Sequence, residues 1–498
     1  MRTQSTAAVQ YVICLGAFLS NLSAGLFNIA LVDIAADYGR SVPATQWVVT
    51  AYLLTVSVCL PLMGAIGDWK GKRNVHNLGF FVFMLGGLCC ALSPSLPVLI
   101  GFRVLQGVGA SIYQANNMAL VVSLFPPEKR GKALGTVSTF VAAGALIGPS
   151  LGGAILQAFS WRFNFWLLAA VAFVAWLLAR RLIPKDAPAA RAAPDWMGAA
   201  LFAAALAGLV AGLNLGASDG WSSPAVWLLL AVFALFAALF AGRSLSVRPG
   251  QTGRSPFIPL SLFRHPSIAF GILLTIATYA AAFSTQTVLP VFLRSVMGLE
   301  PAVAGLIVMA YPAALIISAP LSGSSSDRYG SARVLLLGLG CMVAALAALG
   351  FLPSGAGLVF VIASVVLLGT AMGMITSPNN SLVMSFAPRQ SLGTMSSMIA
   401  LCRNLGMMFG AAVGGMMMAT PAGGLSDAAG VTGQLTRGLR GGYWGMSAVV
   451  LAFLLAYVAM SRAGAKRGGA APAAGSARTP GVRGSSSQPA NGPVPLEK

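Results

Sequence analysis

Asp68-Trp69-Lys70-Gly71-Lys72-Arg73-Asn74-Val75 and Asp327-Arg328-Tyr329-Gly330-Ser331-Ala332-Arg333-Val334 share an Asp, a Gly three residues on and a Val four further, at an offset of 259. Two more matches fall in the same order. Gln114-Ala115-Asn116-Asn117 returns as Ser377-Pro378-Asn379-Asn380 at an offset of 263, and Gly152-Gly153 as Gly414-Gly415 at 262. Each match is weak alone, but three at nearly one offset describe a duplicated unit. Many secondary transporters are built from such repeated helical bundles, with the binding site between the repeats near mid-membrane.

Composition sets the solvent. Of 498 residues, 57% are hydrophobic and only 8% charged, against about a quarter charged in a soluble domain. Mean hydropathy is +0.81. The net charge of +20 is spread over short loops and forms no patch, so a nucleic-acid partner is not expected and a lipid bilayer is. The six cysteines lie in apolar stretches without metal-ligand spacing and read as reduced packing residues. Neither a metal nor a cofactor is expected. The first apolar segment lacks a cleavage site and reads as a retained helix.

A crossing helix needs about 20 apolar residues, so gaps between charges count spans. They give fourteen helices, with Leu352-Pro353-Ser354-Gly355 dividing the longest gap in two. The repeat then pairs helices 1–6 with 9–14 and leaves 7 and 8 as an insert. The expected organisation is a six-helix bundle over 1–184, inserted helices over 195–245, a second six-helix bundle over 265–461 and a disordered tail over 462–498. With the N-terminus inside, 24 of the 31 Lys and Arg fall on the cytoplasmic side and five outside, while Arg103 and Arg403 lie within helices. That asymmetry orients the chain in the cell (inner) membrane with both termini cytoplasmic.

Several motifs carry a resemblance. Gly64-Ala65-Ile66-Gly67-Asp68 and the Gly71-Lys72-Arg73 that follows it form one. Leu105-Gln106-Gly107-Val108-Gly109 after Arg103 forms a second, and Gly144-Ala145-Leu146-Ile147-Gly148-Pro149-Ser150-Leu151-Gly152-Gly153 a third. With Trp47-Val48-Val49-Thr50-Ala51-Tyr52 and Arg403-Asn404-Leu405-Gly406, they make residues 10–460 resemble the fourteen-helix drug/proton antiporter branch of the major facilitator superfamily. The resemblance implies an all-α integral membrane protein of two six-helix bundles plus two inserted helices. It also implies a cytoplasmic latch built from Gly64, Asp68, Gly71, Lys72, Arg73, Arg130, Asp327, Arg328 and Gly330. Gly144, Gly148, Pro149, Gly152 and Gly153 would make helix 5 the thin, kinkable element found in exporters.

The helix 1 stretch departs from that family. In Leu22-Ser23-Ala24-Gly25-Leu26-Phe27-Asn28-Ile29-Ala30-Leu31-Val32-Asp33, Ser23 stands where an aspartate is expected. A serine hydroxyl does not ionise near neutral pH and cannot carry a coupling proton. Of the 11 acids only Asp33 touches a helix body. An Asp33–Arg103 pair is therefore the expected proton or gate pair. The remaining polar positions, Asn21, Ser23, Asn28, Arg103, Gln106, Tyr113, Asn116, Asn117, Tyr279, Gln286, Asn379, Asn380, Arg403 and Asn404, are the expected substrate cavity. Interhelical hydrogen bonding is the other reading of the amides.

Sparse acids and two separated histidines offer no catalytic constellation, so no enzyme is expected. Two transport readings stay open. One is an alternating-access exporter of small amphipathic or drug-like molecules, with protons as the driving partner. The other is an exporter or facilitator of an anionic or zwitterionic metabolite held by Arg103, without classical antiport. A non-transporting receptor or scaffold is the reading from another class. A monomer is expected.

Overall fold

The computed structural model describes residues 6–124, 127–184, 195–219, 222–246, 258, 263, 265–351, 357–385, 392–418 and 428–466. Fourteen helices are long and apolar enough to cross a membrane. They are α1 (Thr6–Asp37), α2 (Trp47–Lys70), α3 (Lys72–Ala91), α4 (Leu96–Leu124), α5 (Pro127–Ala158), α6 (Arg162–Leu182) and α7 (Trp196–Asp219). Then follow α8 (Pro224–Ser246), α9 (Pro266–Ser295), α10 (Pro301–Tyr329), α11 (Ser331–Leu349), α12 (Leu358–Ser385), α13 (Leu392–Met418) and α14 (Ala428–Lys466). The dividing stretch Leu352-Pro353-Ser354-Gly355 lies outside the described residues, between α11 and α12. Among the described residues there is no strand, as expected where lipid leaves each helix to satisfy its own backbone. A one-turn helix, Val42–Thr45, precedes α2, with Ser41 capping its N-terminus.

The helices pack as two six-helix bundles plus an inserted pair. In the first, α1 lies on α5, α2 on α4, α3 on α4 and α6. In the second, α9 lies on α13, α10 on α12, α11 on α12 and α14. Adding eight to each helix number turns one contact scheme into the other. The inserted α7 and α8 pack on each other, and α7 also touches α2 and α13. Arg243 near the end of α8 grips Asp195 before α7, with Nη2 2.6 Å from Oδ1, and the same carboxylate accepts from Gly198 N.

The repeated turn glycines have one physical cause. Gly71 separates α2 from α3 by a single residue with φ 95°, and Gly330 separates α10 from α11 with φ 88°. Only glycine enters that region without a Cβ clash, so both repeats use it to reverse the chain without a loop. Along α14 the helix runs on to Lys466, into the stretch expected to be a disordered tail. Residues 467–498 lie outside the described residues.

Candidate functional site

The first bundle is organised around Arg103, on α4 and 0% exposed. Its Nε donates to Val48 O of α2 at 2.9 Å, and Nη1 donates to Gln106 Oε1 at 2.7 Å and Ser23 Oγ of α1 at 3.3 Å. The guanidinium carbon sits 4.5 Å from the Phe27 ring centroid, 4.3 Å from Tyr52 and 5.7 Å from Phe165. An arginine at the centre of a membrane helix costs about 2.5–3.5 kcal/mol by insertion scales. Hydrogen bonds from a charged donor return about 1.5–3 kcal/mol each and a desolvated ring about 2. Three oxygens and three aromatic faces therefore hold this cation without an acid. Nη2 has no hydrogen-bond partner among the described residues.

The expected Asp33–Arg103 pair does not form. Asp33 lies about three turns beyond Ser23 on α1 and pairs with Arg294 at the end of α9, in the other bundle. Arg294 donates to both Asp33 carboxylate oxygens, and its Nη1 also to Ile29 O at 3.0 Å. Residue order places Arg294 only as a loop charge, because nothing local in the sequence says that α1 and α9 end side by side. Gln157 Nε2 at the end of α5 donates to Glu300 Oε2 before α10 at 2.9 Å, a second link between the bundles. Both links lie at the face opposite the start of α1 and the end of α14.

The helix 5 motif divides its small residues between two neighbours. Gly144, Gly148 and Gly152, four apart and so on one ridge, lie against α1. A Cβ at these positions would come 2.4 Å from Phe18 O, 2.9 Å from Gly25 Cα and 3.1 Å from Leu26 Cα. Gly153 faces the second bundle, and Pro149 lies in both contacts, its ring against Gly25 of α1 and its carbonyl toward α10. A Cβ at Gly153 would sit 2.3 Å from Pro301 O, and one at Gly305 of α10 2.4 Å from Pro149 O. Helix α5 is thus the element wedged between the bundles, and glycines on both sides of the contact let the backbones approach closely.

The amides fall into two groups. Asn116 and Asn379, expected in the cavity, are 0% and 2% exposed and bind neighbouring helices. Asn116 Nδ2 donates to Met63 O of α2 at 3.3 Å and to Ile112 O. Asn379 Nδ2 donates to Gly271 O and Thr275 Oγ1 of α9, both at 2.9 Å. A buried amide in lipid binds the nearest backbone acceptor, so the repeat-related pair is interhelical cement. Asn117 Oδ1 lies 2.8 Å from Nε2 of His76, which is fully buried in the first turns of α3 and edge-on to Phe80. Tyr113 is likewise buried, its hydroxyl 2.7 Å from Ser20 Oγ. Asn28 and Asn404 are buried too, each with one amide atom unpartnered among the described residues, and Tyr311 joins them in the core.

Asn21, Tyr279, Gln286, Asn380 and Arg403 stay half-buried on α1, α9, α12 and α13. Tyr279 packs over Gly406, one turn from Arg403.

Of the expected latch, Gly71 and Gly330 make the turns, and Arg73 Nη2 donates to Arg180 O of α6 at 2.7 Å. Lys72 is half-buried, while Arg328 is exposed and lies over the Tyr329 ring. The tight glycine on α2 is Gly67, against Asn116, whereas a Cβ at Gly64 would only graze Ala115 at 3.8 Å. The side chains of Asp68, Arg130 and Asp327 lie outside the described residues.

A family model described as Major Facilitator Superfamily matches residues 13–200 and 195–411. The riboflavin transporter RibZ of Clostridioides difficile (strain 630) is 32% identical over 405 residues, 81% of this chain and 86% of that protein. The multidrug resistance protein Stp of Mycobacterium tuberculosis (strain ATCC 25618 / H37Rv) is 28% identical over 406 residues, 81% of this chain and 74% of Stp. A crystal structure of the peptide transporter POT in complex with sulfate superposes with a TM-score of 0.65 at 15% identity, over 91% of this chain and 94% of that one. That likeness speaks to the fold alone. Bundle plan, motifs and family match agree: this chain belongs to the major facilitator superfamily, a family of membrane transporters.

Proposed function

We propose that this protein exports small amphipathic, drug-like molecules by alternating access, from a cytoplasm that holds both its termini, across the cell membrane. The observation that carries the reading is α5, seated on α1 by Gly144, Gly148 and Gly152 and packed on α10 where Gly153 and Gly305 let the backbones meet. Rocking the bundles must break the Asp33–Arg294 and Gln157–Glu300 links there while the helices slide on surfaces without side chains. Relatives named for riboflavin transport and for multidrug resistance support a heteroaromatic or amphipathic substrate. The half-buried polar residues Asn21, Tyr279, Gln286, Asn380 and Arg403 are the proposed lining of the substrate path.

One observation favours the second reading, an anionic or zwitterionic substrate. Arg403 is half-buried in a membrane helix with no acid bonded to it among the described residues, and such a cation is functional by default. Proton antiport through residue 23 finds no support, because Ser23 stands where the acid is expected and its hydroxyl accepts from Arg103. Asp33 remains the candidate proton carrier, acting only when its pair with Arg294 opens.

The test is uptake into inside-out vesicles of riboflavin, a cationic dye and an organic anion, with and without an imposed proton gradient. Saturable accumulation that Gln286→Ala and Arg403→Ala each lower about tenfold, some 1.4 kcal/mol, is expected. Flux no greater than in protein-free vesicles for every compound would sink export and leave the receptor reading. Accumulation indifferent to an uncoupler would remove protons from the mechanism.

A further inference from the structure

Between the start of α3 and the end of α6, on the face where α1 starts and α14 ends, lies a cleft of about 400 Å³ lined by Arg73, Asn74, Asn77, Trp176 and Arg180. We propose that this cleft is a binding site for the headgroup of an anionic phosphoglyceride of the surrounding leaflet.

Among the described residues, the lining carries two guanidiniums and no carboxylate. Arg73 Nη2 donates to the Arg180 main-chain carbonyl at 2.7 Å, which anchors its side chain across the cleft, and Arg180 lies 5.4 Å from the Trp176 ring. Helix α3 begins at Lys72 with no side-chain cap, so its first N–H groups and the positive end of its dipole lie beside the same two residues. Both features suit a phosphodiester, and Arg forks match phosphate oxygens. The buried Oδ1 of Asn77 has no hydrogen-bond partner among the described residues, which leaves an acceptor for a headgroup hydroxyl.

What lies below the cleft selects a lipid over a free anion. Leu78, Phe81 and Leu85 on α3 and Phe173, Val174, Leu177 and Leu178 on α6 are exposed apolar residues within a membrane span. Trp176 sits between this surface and the cleft, the level at which indoles gather in bilayers. A phosphoglyceride places a phosphate and hydroxyls over acyl chains, in the same order as these groups along α3 and α6. Basic pockets between membrane helices on the cytoplasmic side are a recurring form of headgroup site.

The experiment is native mass spectrometry of the full-length protein from nanodiscs of phosphatidylglycerol and phosphatidylcholine in equal amounts. The wild type should retain phosphatidylglycerol preferentially. Arg180→Gln should lower that retention about fivefold, the worth of one arginine near a charged surface. Arg181→Gln removes the same charge at the next position, outside the cleft lining, and should leave retention unchanged. Arg180→Lys should restore part of it, which separates a local site from a folding defect. Millimolar inorganic phosphate should not displace the lipid. Equal loss in Arg180→Gln and Arg181→Gln, no lipid preference in the wild type, or displacement by phosphate would overturn the site. Nanodiscs have no sidedness, so the result does not depend on the orientation or the export proposed above.

Discussion

Arg103 and Ser23 set the chemistry at the residue scale. The fork of Arg103 reaches α1, α2 and its own helix through one planar group, and stacking on Phe27 and Tyr52 needs that plane. Lysine offers neither feature, so Arg103→Lys is not conservative here. It should destabilise by about 2–4 kcal/mol, the range for breaking a buried charged network, and thermal unfolding in detergent is the check. Ser23→Asp should act in the opposite direction. A carboxylate beside Nη1 turns a bond to a neutral hydroxyl into an ion pair, which adds a charge–charge attraction at a buried site. The expected result is a higher unfolding midpoint together with transport that an uncoupler now inhibits. An unchanged midpoint would mean that the new carboxylate turns away from Arg103. Ser23 and Arg103 are both visible in the sequence, as an acid missing and a charge inside a span. Their contact is not, since it depends on the relative rotation of α1 and α4.

The element scale belongs to the glycines, which the helix periodicity sorts by face. Those at Gly144, Gly148 and Gly152 meet backbone across the α1–α5 contact, so a methyl there must separate the helices. Gly144→Ala should cost about 1–3 kcal/mol as overpacking. Gly101→Ala on α4 has nothing within 4 Å of the new methyl and should be neutral or stabilising by up to about 1 kcal/mol through helix propensity. Unfolding midpoints of the two variants side by side test the difference. At the turns, Gly71→Ala and Gly330→Ala each force a Cβ into left-handed backbone, worth about 1–2 kcal/mol. Matching losses in the two variants are expected, because the repeat builds both turns alike. A stripe such as Gly144-x-x-x-Gly148-x-x-x-Gly152 is legible as a close contact from residue spacing alone. Which neighbour it touches is not, and Gly153 on the adjacent face meets a different bundle altogether.

At the scale of the whole molecule, the proposed alternating access would be balanced partly by the links between the bundles at Asp33–Arg294 and Gln157–Glu300. Arg294 and Asp33 side chains are 12% and 29% exposed, so their pair is partly screened and worth about 1 kcal/mol. Arg294→Gln should raise the population open at these links about fivefold, the factor that 1 kcal/mol sets. Spin labels at Phe159 and Val303, exposed positions beside α5 and α10 contacts, would report it as a longer distance component. Exchanging the charges, Asp33→Arg with Arg294→Asp, should return the distribution toward the wild type. A distribution indifferent to both changes would show that the Asp33–Arg294 pair does not set the balance, leaving it to the Gln157–Glu300 link and the α5–α10 contact.

Fourteen spans, two repeated bundles and an inserted pair are readable from residue order, because lipid imposes one rule on every crossing segment: enough apolar length, with charges at the ends. The turn glycines and the α5 ridge are readable for a similar reason, since backbone sterics are local. The partner of each polar group is decided by assembly. Asp33 could reach Arg103 or Arg294 only according to how α1, α4 and α9 meet, and Asn116 could face a cavity or Met63 O only according to the depth of α2 beside it. A polar side chain in lipid must find some partner, and distance in three dimensions, not along the chain, chooses which.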